Sequence, residues 1–464
     1  MRHFDLCVIG SGTGNSIIDK RFREWDVALV ERSQTFGGTC LNAGCIPTKM
    51  FVYPADLARL AQEAGRLGVQ GAPARLDWAS IRDRVFGRID PISASGAQWR
   101  ERPGSNVTLF RDDARFVAPR TLQVGDEAIS ADHFVIATGS SPRRLDVPGA
   151  DDPQVSTRLH TSEDIMRLPE APGSLIIIGG GYVAAEFAHI FAACGTKVTI
   201  LNRSATLLRR EDADVAARFT ELMSERVHVR LRQRVVGFDT GLREGRVVVI
   251  TNDDDGLEYL FEADEVLVAA GRVPNSADLN CAAAGVEVDA DGFVVVDEYQ
   301  RTTAPGVFAL GDVSSKDMLK HVANAEGRVV THNLLHPDAL TRIDHRFVPH
   351  AVFSEPQIAS VGLTEQEAIE RGAPYVAATK PYSDVAYGWA MEDTQHFAKL
   401  LADPTSKQLI GAHILGPQAS TLIQPLIQAM TFGLDVPSMA RAQYWIHPAL
   451  TEVVENALLE LKLD

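Results

Sequence analysis

Two cysteines lie close together near the N-terminus, in a segment rich in glycine. Cys40 and Cys45 belong to the stretch GGTCLNAGCIPTK, which spans residues 37–49. A structural zinc site would need a second pair of ligands, and the chain has no second cysteine pair. On an ideal helix, residues five positions apart point about 140° away from each other, so a disulfide between them requires local distortion. A distorted, exposed disulfide is readily reduced, which indicates redox chemistry; two packed free thiols are the alternative.

A second candidate is an acidic residue in an apolar helix. Glu186 lies within YVAAEFA, residues 182–188, where it is the only charged residue. Burying a carboxylate is costly unless a cation pairs with it. Lys49, four residues after Cys45, is the obvious cation. The alternative is a glutamate at the helix edge whose carboxylate reaches solvent.

The third candidate is a histidine near the C-terminus, in the segment HPALTE. Thiol–disulfide exchange must move protons near neutral pH, and His447 is suited to that task. Glu452 would accept a hydrogen bond from the other ring nitrogen and fix the tautomer. A structural histidine is the alternative. His332 and His336 are four residues apart, but no third ligand is apparent, so we expect no metal site.

A glycine-rich turn between two strands precedes the cysteines. Residues 4–9 form an apolar strand that leads into Gly10-Ser11-Gly12-Thr13-Gly14, and the next strand, residues 27–30, ends in Glu31. Strand, glycine turn, helix and an acid about 20 residues further on are the pattern of a dinucleotide-binding unit. Asn15 occupies the third glycine position. This departure implies looser packing or a local polar contact there.

The same pattern recurs in the middle of the chain. Residues 175–178 lead into Gly179-Gly180-Gly181-Tyr182-Val183-Ala184, and a second strand follows at residues 197–201. Where NAD sites usually have an acid, this chain has Asn202, followed by Arg203 and, six residues later, by Arg209. Two guanidinium groups can hold a 2′-phosphate, which favours NADPH. The alternative is that both arginines are solvated surface residues.

Length and composition limit the class of protein. The 464 residues predict several domains, which we place at residues 1–149, 150–270, 271–345 and 346–464. The net charge of −16 argues against a nucleic-acid-binding role. The N-terminus has no recognisable targeting signal, and no stretch of ~20 apolar residues is free of charges. We therefore expect a soluble, cytoplasmic protein.

The cysteine segment resembles that of the flavin-dependent pyridine nucleotide–disulfide oxidoreductases. The resemblance extends over the whole chain, through both glycine turns, Ala137-Thr138-Gly139, Gly311-Asp312 and the C-terminal segment. Within the family, four segments are similar to the branch that reduces mycothione, the disulfide of mycothiol, and Asn15 is also similar to that branch. These segments are residues 49–53, 88–92, 387–393 and 443–450.

The resemblance implies a fold, a pair of cofactors and roles for the site residues. The fold would be α/β, with Rossmann-like FAD- and NAD(P)-binding domains, a central domain that completes the FAD site and an α+β dimerisation domain. Cys45 would face the flavin, Cys40 would attack the substrate disulfide, and the Lys49–Glu186 pair would lie near the flavin. His447 and Glu452 would come from the partner in a homodimer. FAD would contact Gly10, Gly12, Gly14, Glu31, Gly38, Thr39, Lys49, Thr138, Gly139, Gly311 and Asp312, and NADPH would contact Gly179, Gly181, Val183, Glu186, Asn202, Arg203, Arg209 and Gly271.

The expected activity is NADPH-dependent reduction of a low-molecular-weight disulfide, with mycothione as the substrate that the resemblance implies. Two alternatives stay open. A dihydrolipoamide dehydrogenase would work in the opposite direction with NAD, and an acid at Asn202 would have supported it. A flavin-bound redox sensor would bind FAD without turnover. A mercuric or large thioredoxin reductase would need a cysteine pair near the C-terminus, whereas the last cysteine is Cys281.

Overall fold

The N-terminal part of the chain forms a mainly parallel sheet with helices packed on it. The structure is a computed structural model that describes residues 1–71, 74–241 and 245–463. The elements of this part are β1 (Arg2–Ile9), α1 (Thr13–Ile17), β2 (Val27–Val30), α2 (Gly38–Asn42), α3 (Cys45–Glu63), α4 (Trp78–Glu101), β3 (Val107–Phe110), β4 (Ala114–Ala118), β5 (Thr121–Val124), β6 (Glu127–Ile136) and β7 (Ser140–Pro142).

The second part repeats the strand–helix–strand arrangement and adds an antiparallel sheet. Its elements are α5 (Pro153–Ser156), β8 (Leu159–His160), β9 (Ser174–Ile178), α6 (Tyr182–Ala193), β10 (Lys197–Leu201), α7 (Ala213–Arg226), β11 (His228–Arg230), β12 (Arg234–Thr240), β13 (Val247–Asn252), β14 (Glu258–Ala263), β15 (Glu265–Val268) and β16 (Arg272–Pro274).

The remaining chain returns to the first sheet and then forms a separate α+β layer. Its elements are β17 (Val307–Ala309), α8 (Lys320–Leu335), β18 (His350–Val352), β19 (Ile358–Gly362), α9 (Glu365–Glu370), β20 (Val376–Pro381), α10 (Ala386–Met391), β21 (Phe397–Ala402), β22 (Leu409–Leu415), α11 (Ala419–Leu422), α12 (Gln424–Phe432), α13 (Val436–Arg441) and α14 (Thr451–Glu460).

The first sheet has the strand order β3-β2-β1-β6-β5-β4, and β17 also pairs with β6. Strands β3, β2, β1, β6 and β17 run parallel, whereas β4 and β5 form an antiparallel extension. All four residues of β2 are buried, as expected of a parallel strand covered on both faces. The carboxyl ends of β1, β2, β6 and β17 therefore share one edge. Gly10, Glu31, Ala137 and Gly311 follow those ends closely.

The second sheet has the parallel order β11-β10-β9-β15-β8, and β12, β13 and β14 form an antiparallel sheet beside it. The predicted strand–helix–strand unit is confirmed: β9, α6 and β10 lie where the sequence places them. A hairpin turn joins β13 to β14, and Asn252 pairs with Glu258 across it. A hydrophobic core joins the two nucleotide-binding units, with Phe51, Trp78 and Phe191 in contact.

The C-terminal sheet is antiparallel, with the order β18-β19-β22-β21-β20. Helices α11 to α14 contribute apolar side chains, among them Leu426, Val453 and Leu458, to a core shared with this sheet. The predicted class, two Rossmann-like units followed by an α+β domain, is therefore confirmed. Among the described residues, no helix is both long enough and apolar enough to cross a membrane.

Candidate active site

A cavity of about 1190 Å³ lies along the carboxyl edge of the first sheet and extends toward α6. This volume exceeds the ~300–1,000 Å³ of ordinary small-molecule pockets, so the cavity can hold an elongated ligand. It brings together most of the residues that the sequence predicts for the first cofactor and for the chemistry. Those that line it include Gly10, Gly12, Glu31, Gly38, Thr39, Cys40, Cys45, Lys49, Thr138, Gly139, Glu186, Gly311 and Asp312. Val183, which was predicted for the nicotinamide cofactor, lines it as well.

Glycine is required at two positions of the cavity wall. Gly10 has a φ of +110°, and a Cβ atom there would lie 2.2 Å from the carbonyl oxygen of Ala137. Gly38 has a φ of +73°, and its Cβ atom would lie 2.6 Å from the Cα of Gly12. The glycine turn after β1 therefore touches the segment that carries the cysteines. This close approach of two backbones makes a wall along which a ligand can lie against peptide groups.

Asn15, which stands where the glycine pattern has its third glycine, makes a local polar contact, one of the two outcomes expected from the sequence. Arg100, on α4, donates from Nε to Asn15 Oδ1 at 2.7 Å and from Nη2 to the Asn15 carbonyl at 2.8 Å. The same guanidinium donates to the carbonyl of Ile18 at 2.9 Å. Burial lowers the pKa of Arg100. The asparagine thus ties the short helix α1 to α4.

The two acidic residues predicted for the FAD site both hold hydrogen bonds at the cavity edge. Glu31 accepts from the amide of Ser11 at 2.9 Å, from the Ser11 hydroxyl at 2.6 Å and from the amide of Ser33 at 2.8 Å. Asp312 accepts from the hydroxyl of Ser140 at 2.6 Å. Both carboxylates are thereby fixed in orientation beside the glycine turns.

Cys40 and Cys45 lie on two different helices, because the chain breaks between α2 and α3. Helix α2 ends at Asn42, and Cys45 is the first residue of α3 after Gly44. This break between the two helices is the local distortion that the spacing of the two cysteines predicts. The thiols are free. The neighbouring Cys40 thiol and the positive charge of Lys49 lower the pKa of Cys45 to about 7 against the effect of burial. The proximity of Cys45, together with burial, raises the pKa of Cys40.

Lys49 and Glu186 form an ion pair between α3 and α6. The Lys49 ammonium donates to the two carboxylate oxygens of Glu186 at 2.6 and 2.7 Å, and the backbone amide of Phe353 donates to one of them at 3.0 Å. The Glu186 side chain is only 4% exposed. Burial raises its pKa, and the Lys49 charge opposes this. The pair places a fixed cation next to Cys45.

The second strand–helix–strand unit has the expected glycine turn, and its polar residue Asn202 makes hydrogen bonds within the loop that follows. Gly179 has a φ of +125°, where a Cβ atom would lie 2.3 Å from the Ala269 carbonyl oxygen. Asn202 is buried, and its amide donates to the carbonyls of Ser204 and Thr206 at 3.2 and 2.8 Å. The asparagine therefore shapes the loop after β10.

The two predicted phosphate-binding arginines lie on that same loop. Arg203 and Arg209 are exposed, and neither has an ion-pair partner in the described part of the chain. Gly181 caps the N-terminus of α6, next to Val183, which lines the large cavity. Gly271, with a φ of +111°, follows β15. The arrangement leaves a basic surface at the end of β10.

His447 and Glu452 form a hydrogen-bonded pair away from the large cavity. The Nδ1 atom of His447 lies 2.7 Å from Glu452 Oε1, and Glu452 Oε2 accepts from the amide of Ala449 at 3.2 Å. The His447 side chain is 69% exposed. It is not among the residues that line the cavity with Cys40. A single chain therefore does not bring the histidine to the cysteines.

Sequence reasoning missed several residues of the cavity. Lys320, the first residue of α8, lines it and donates to the Thr13 hydroxyl at 2.7 Å. Arg272 lines it and donates to the hydroxyl and carbonyl of Ser140 at 2.7 and 2.6 Å. Tyr182, at the start of α6, is a third. The signal for Tyr182 was its place directly after a glycine turn, but no sequence pattern links Lys320 to Thr13.

Two models of known protein families match most of the chain. The pyridine nucleotide-disulphide oxidoreductase family matches residues 4–327, and the dimerisation domain of the same family matches residues 348–458. The chain belongs to the pyridine nucleotide-disulphide oxidoreductases. As a member of this family, it is an FAD- and NAD(P)H-dependent disulfide oxidoreductase, and its dimerisation domain supports a homodimer.

Individual members of the family are similar to the chain over nearly its full length. Mycothione reductase of Mycobacterium tuberculosis (strain ATCC 25618 / H37Rv) is 48% identical over 475 residues, with all of both chains covered. Mercuric reductase of Staphylococcus aureus is 34% identical and covers 94% of this chain and 78% of its own. Among solved structures, the Cu(II) complex of an HOCl-induced flavoprotein disulfide reductase from Escherichia coli has a TM-score of 0.86 at 28% identity, covering 99% and 100% of the two chains.

The cavity fits the flavin that this family of oxidoreductases uses. The backbone at Gly139 lies open to the cavity, since a Cβ atom there would meet nothing within 4 Å. The carboxylates of Glu31 and Asp312, held by hydrogen bonds from Ser11 and Ser140, would accept hydrogen bonds from hydroxyl groups of the cofactor. Helix α8 begins at the cavity with no side-chain cap on its first amides, so its N-terminus favours a negative ligand group.

Proposed function

We propose that this protein reduces mycothione to mycothiol with electrons from NADPH. The observation that carries the proposal is the 48% identity to mycothione reductase over the full length of both chains. The dihydrolipoyl dehydrogenase of Halobacterium salinarum is 33% identical. The absence of an acid at Asn202 further disfavours that NAD-linked alternative.

The residues at the cavity edge would hold the flavin. When bound, FAD supplies two-electron transfer from the nicotinamide to a disulfide. Its pyrophosphate would lie along Gly10 and Gly12, with the ribose hydroxyls on Glu31 and the ribityl region near Asp312. The ion pair between Lys49 and Glu186 would keep a positive charge close to Cys45, and the burial of Glu186 would keep water from separating the two groups.

The cysteine pair would carry out thiol–disulfide exchange. The thiolate of Cys40 attacks one sulfur of the substrate disulfide, which forms a mixed disulfide and releases the first thiol. Cys45 then attacks the Cys40 sulfur, which releases the second thiol and re-forms the Cys40–Cys45 disulfide. The substrate gains two electrons and two protons, and the cysteine pair loses both. The lowered pKa of Cys45 supports its role as the thiolate beside the flavin. The raised pKa of Cys40 means that its attack requires a base to take the thiol proton.

Proton transfer would come from the second subunit of the homodimer. His447 of the partner subunit protonates the first leaving thiolate, and Glu452 of the partner subunit holds the ring by its Nδ1 atom. The 2.7 Å contact between these two side chains and the exposure of His447 support this role. The active site would therefore be shared between subunits.

Cofactor choice would depend on the basic loop after β10. Arg203 and Arg209 are exposed at that loop, and each can donate charged hydrogen bonds to a 2′-phosphate. Asn202 would not repel that phosphate, because its buried side chain carries no charge. This arrangement supports NADPH as the electron donor.

A single assay tests the proposed function. The purified holoenzyme is supplied with NADPH and, in separate reactions, with mycothione, glutathione disulfide and lipoamide. We expect the highest kcat/KM for mycothione. A higher kcat/KM for lipoamide would favour the dihydrolipoyl dehydrogenase reading. Bound FAD with no steady-state reduction of any disulfide would favour a redox sensor.

A further inference from the structure

A histidine that the proposed mechanism does not use lies buried at the contact between α3 and α6. His189, on α6, is fully buried, and its Nε2 atom lies 2.7 Å from Oδ1 of Asp56 on α3. Nη2 of Arg226, on α7, lies 3.0 Å from the other ring nitrogen, Nδ1. A guanidinium can only donate, so Nδ1 accepts and Nε2 carries the proton, which it donates to Asp56. Both nitrogens of this uncharged imidazole are therefore satisfied.

The Asp56–His189 contact lies beside a second polar contact between the same helices, the ion pair of Lys49 and Glu186. On α3, Lys49 and Asp56 are seven residues apart, which is about two helical turns. On α6, Glu186 and His189 are three residues apart, which is about one turn. Each helix therefore presents its two polar groups on one face.

A proline separates the two contacts on α3. Pro54 has no amide hydrogen, so it cannot donate to the carbonyl of Met50. That carbonyl accepts instead from Nη2 of Arg84, on α4, at 3.2 Å. The hydrogen bonds within α3 are therefore interrupted between the turn of Lys49 and the turn of Asp56. The backbone of α3 links the two contacts only weakly.

Arg226 joins the imidazole to the loop between β18 and β19, residues 353–357, in the C-terminal domain. Its Nη1 atom donates to the carbonyl of Glu355 in this loop at 2.5 Å. The guanidinium is a rigid planar fork, so its two acceptors are held at a fixed spacing. His189 and the β18–β19 loop are therefore positioned together.

The β18–β19 loop in turn contacts the Lys49–Glu186 ion pair. The amide of Phe353 donates to Oε1 of Glu186 at 3.0 Å, and the Lys49 ammonium lies 4.7 Å from the centre of the Phe353 ring. The hydroxyl of Ser354, which is fully buried, donates to the carbonyl of Ala185 at 3.3 Å. A displacement of the loop would therefore disturb both members of the ion pair.

We propose that His189 is a positioning residue for the Lys49–Glu186 pair, which it holds through Arg226 and the β18–β19 loop. The proposal rests on the proposed function, in which the Lys49 charge lies beside the Cys45 thiolate and the flavin. Lys49 and Cys45 are four residues apart on α3 and line the same cavity. A histidine outside that cavity thus helps to set the reactivity of the cysteine pair.

The titration of Cys45 in the reduced holoenzyme tests this proposal. A thiolate beside oxidised flavin gives a long-wavelength charge-transfer band, and the midpoint pH of the band depends on how closely the Lys49 charge is held. The titratable groups next to Cys45 are Cys40, Lys49 and Glu186. The FAD-loaded dimer is reduced by two electrons, and its absorbance is followed from mildly acidic to mildly alkaline pH. In His189→Leu, which removes both hydrogen bonds of the ring, we expect the midpoint to rise by about half a pH unit, an approximately threefold lower ionisation constant.

Three further variants follow the contacts of the imidazole. His189→Gln can donate to Asp56 and accept from Arg226, so it should keep the wild-type midpoint. Asp56→Asn removes a charge but keeps an acceptor for the ring, and it should keep the midpoint as well. Arg226→Met removes the link to the loop, so it should raise the midpoint as His189→Leu does. Arg226→Met decides the test if His189→Leu does not fold.

Two controls separate positioning from a general loss of stability. His413→Leu is the matched control, because His413 is also buried but its Nε2 atom lies 2.9 Å from the carbonyl of Leu363, beyond the opposite end of β19. It should lower the Tm and leave the midpoint unchanged. In a Lys49→Gln background, adding His189→Leu should not move the midpoint further, because the cation through which the histidine acts is gone.

Specific outcomes would overturn the proposal. An unchanged midpoint in His189→Leu or in Arg226→Met, with only a lower Tm, would show that the contacts are structural. An equal rise in His189→Gln, Asp56→Asn or His413→Leu would show that the hydrogen bonds of the ring are not the cause. A further rise in the Lys49→Gln background would show that His189 acts on Cys45 by another route. A wild-type protein without the band would instead contradict the proposed function, so the two failures are distinguishable.

Discussion

We expect Cys45 to carry the negative charge of the reduced cysteine pair, because its surroundings lower its pKa and those of Cys40 raise the pKa of that thiol. The neighbouring Cys40 thiol and the charge of Lys49 bring the pKa of Cys45 to about 7. A group with a pKa lowered in the folded state is ionised above that pKa and protonated below it. A thiolate next to oxidised flavin gives a long-wavelength charge-transfer band. The band should therefore grow as the pH rises through about 7.

Serine substitutions test which sulfur carries that charge. The band should survive in Cys40→Ser, because a serine hydroxyl can still donate to Cys45, and it should disappear in Cys45→Ser. Absorbance spectra of the two-electron-reduced proteins are the measurement. FAD content serves as the control, since both variants should retain the cofactor. A band that disappears only in Cys40→Ser would reverse the two roles.

Arg203 and Arg209 allow a second test at the level of single residues. Hydrogen bonds to charged groups contribute ~1.5–3 kcal/mol each, so two arginines can supply a preference of about 10²-fold or more for the 2′-phosphate. Replacing both with alanine should lower kcat/KM for NADPH by about that factor and change it little for NADH. Arg210→Ala is the matched control, because Arg210 is exposed on the same loop. Equal losses for both cofactors would show that the arginines are structural.

Elements whose boundaries depend on local chemistry could be predicted from the sequence. Strand β9, helix α6 and strand β10 follow from apolar runs interrupted by Gly179 and Gly195, and the structure has them at the expected residues. The break between α2 and α3 was only implied by the spacing of the cysteines. The sequence placed Lys49 opposite Glu186 because a buried carboxylate needs a cation. That rule identifies a partner only when few candidates exist.

The contacts between distant elements could not be predicted in this way. Lys399 on β21 is 3% exposed and donates to Asp212, Asp214 and Glu365 at 2.9, 2.6 and 2.6 Å. These residues join the N-terminus of α7 to the C-terminal domain. They are up to 187 positions apart, and a lysine in a strand gives no sign of which carboxylates it will meet. The Lys320–Thr13 contact was missed for the same reason.

The Lys399 cluster predicts a large effect on stability. Lys399→Met keeps the apolar part of the side chain but leaves Asp212, which is fully buried, without its cation. Breaking a buried ion pair costs about 3–5 kcal/mol, and we expect the lower end because Asp214 and Glu365 remain partly exposed. Urea unfolding followed by tryptophan fluorescence should show a lower midpoint. Lys316→Met, at an exposed pair, should leave it unchanged; an equal midpoint for both would contradict the prediction.

The whole molecule presents its reactive groups on two separate surfaces. Cys40 and Cys45 lie in the large cavity of the nucleotide-binding units, whereas His447 lies on the exposed part of the C-terminal domain. Large apolar side chains of the C-terminal domain are exposed as well. They include Trp389 and Phe432, and also Tyr444 and Ile446, which lie close to His447 in the sequence. An exposed apolar surface of this kind is expected to be covered in an assembly, which accords with the dimerisation domain of the family.

Complementation between two inactive variants tests whether the active site is shared. Cys40→Ser and His447→Ala should each abolish disulfide reductase activity as homodimers. In a heterodimer whose sites combine residues from both subunits, one site carries both substitutions and the other carries neither. Co-expression with two different affinity tags, followed by purification on both, isolates that heterodimer. It should recover about half of the wild-type activity, because one of two symmetric sites is intact. If each site were built within one chain, both sites of the heterodimer would be damaged and it would stay inactive.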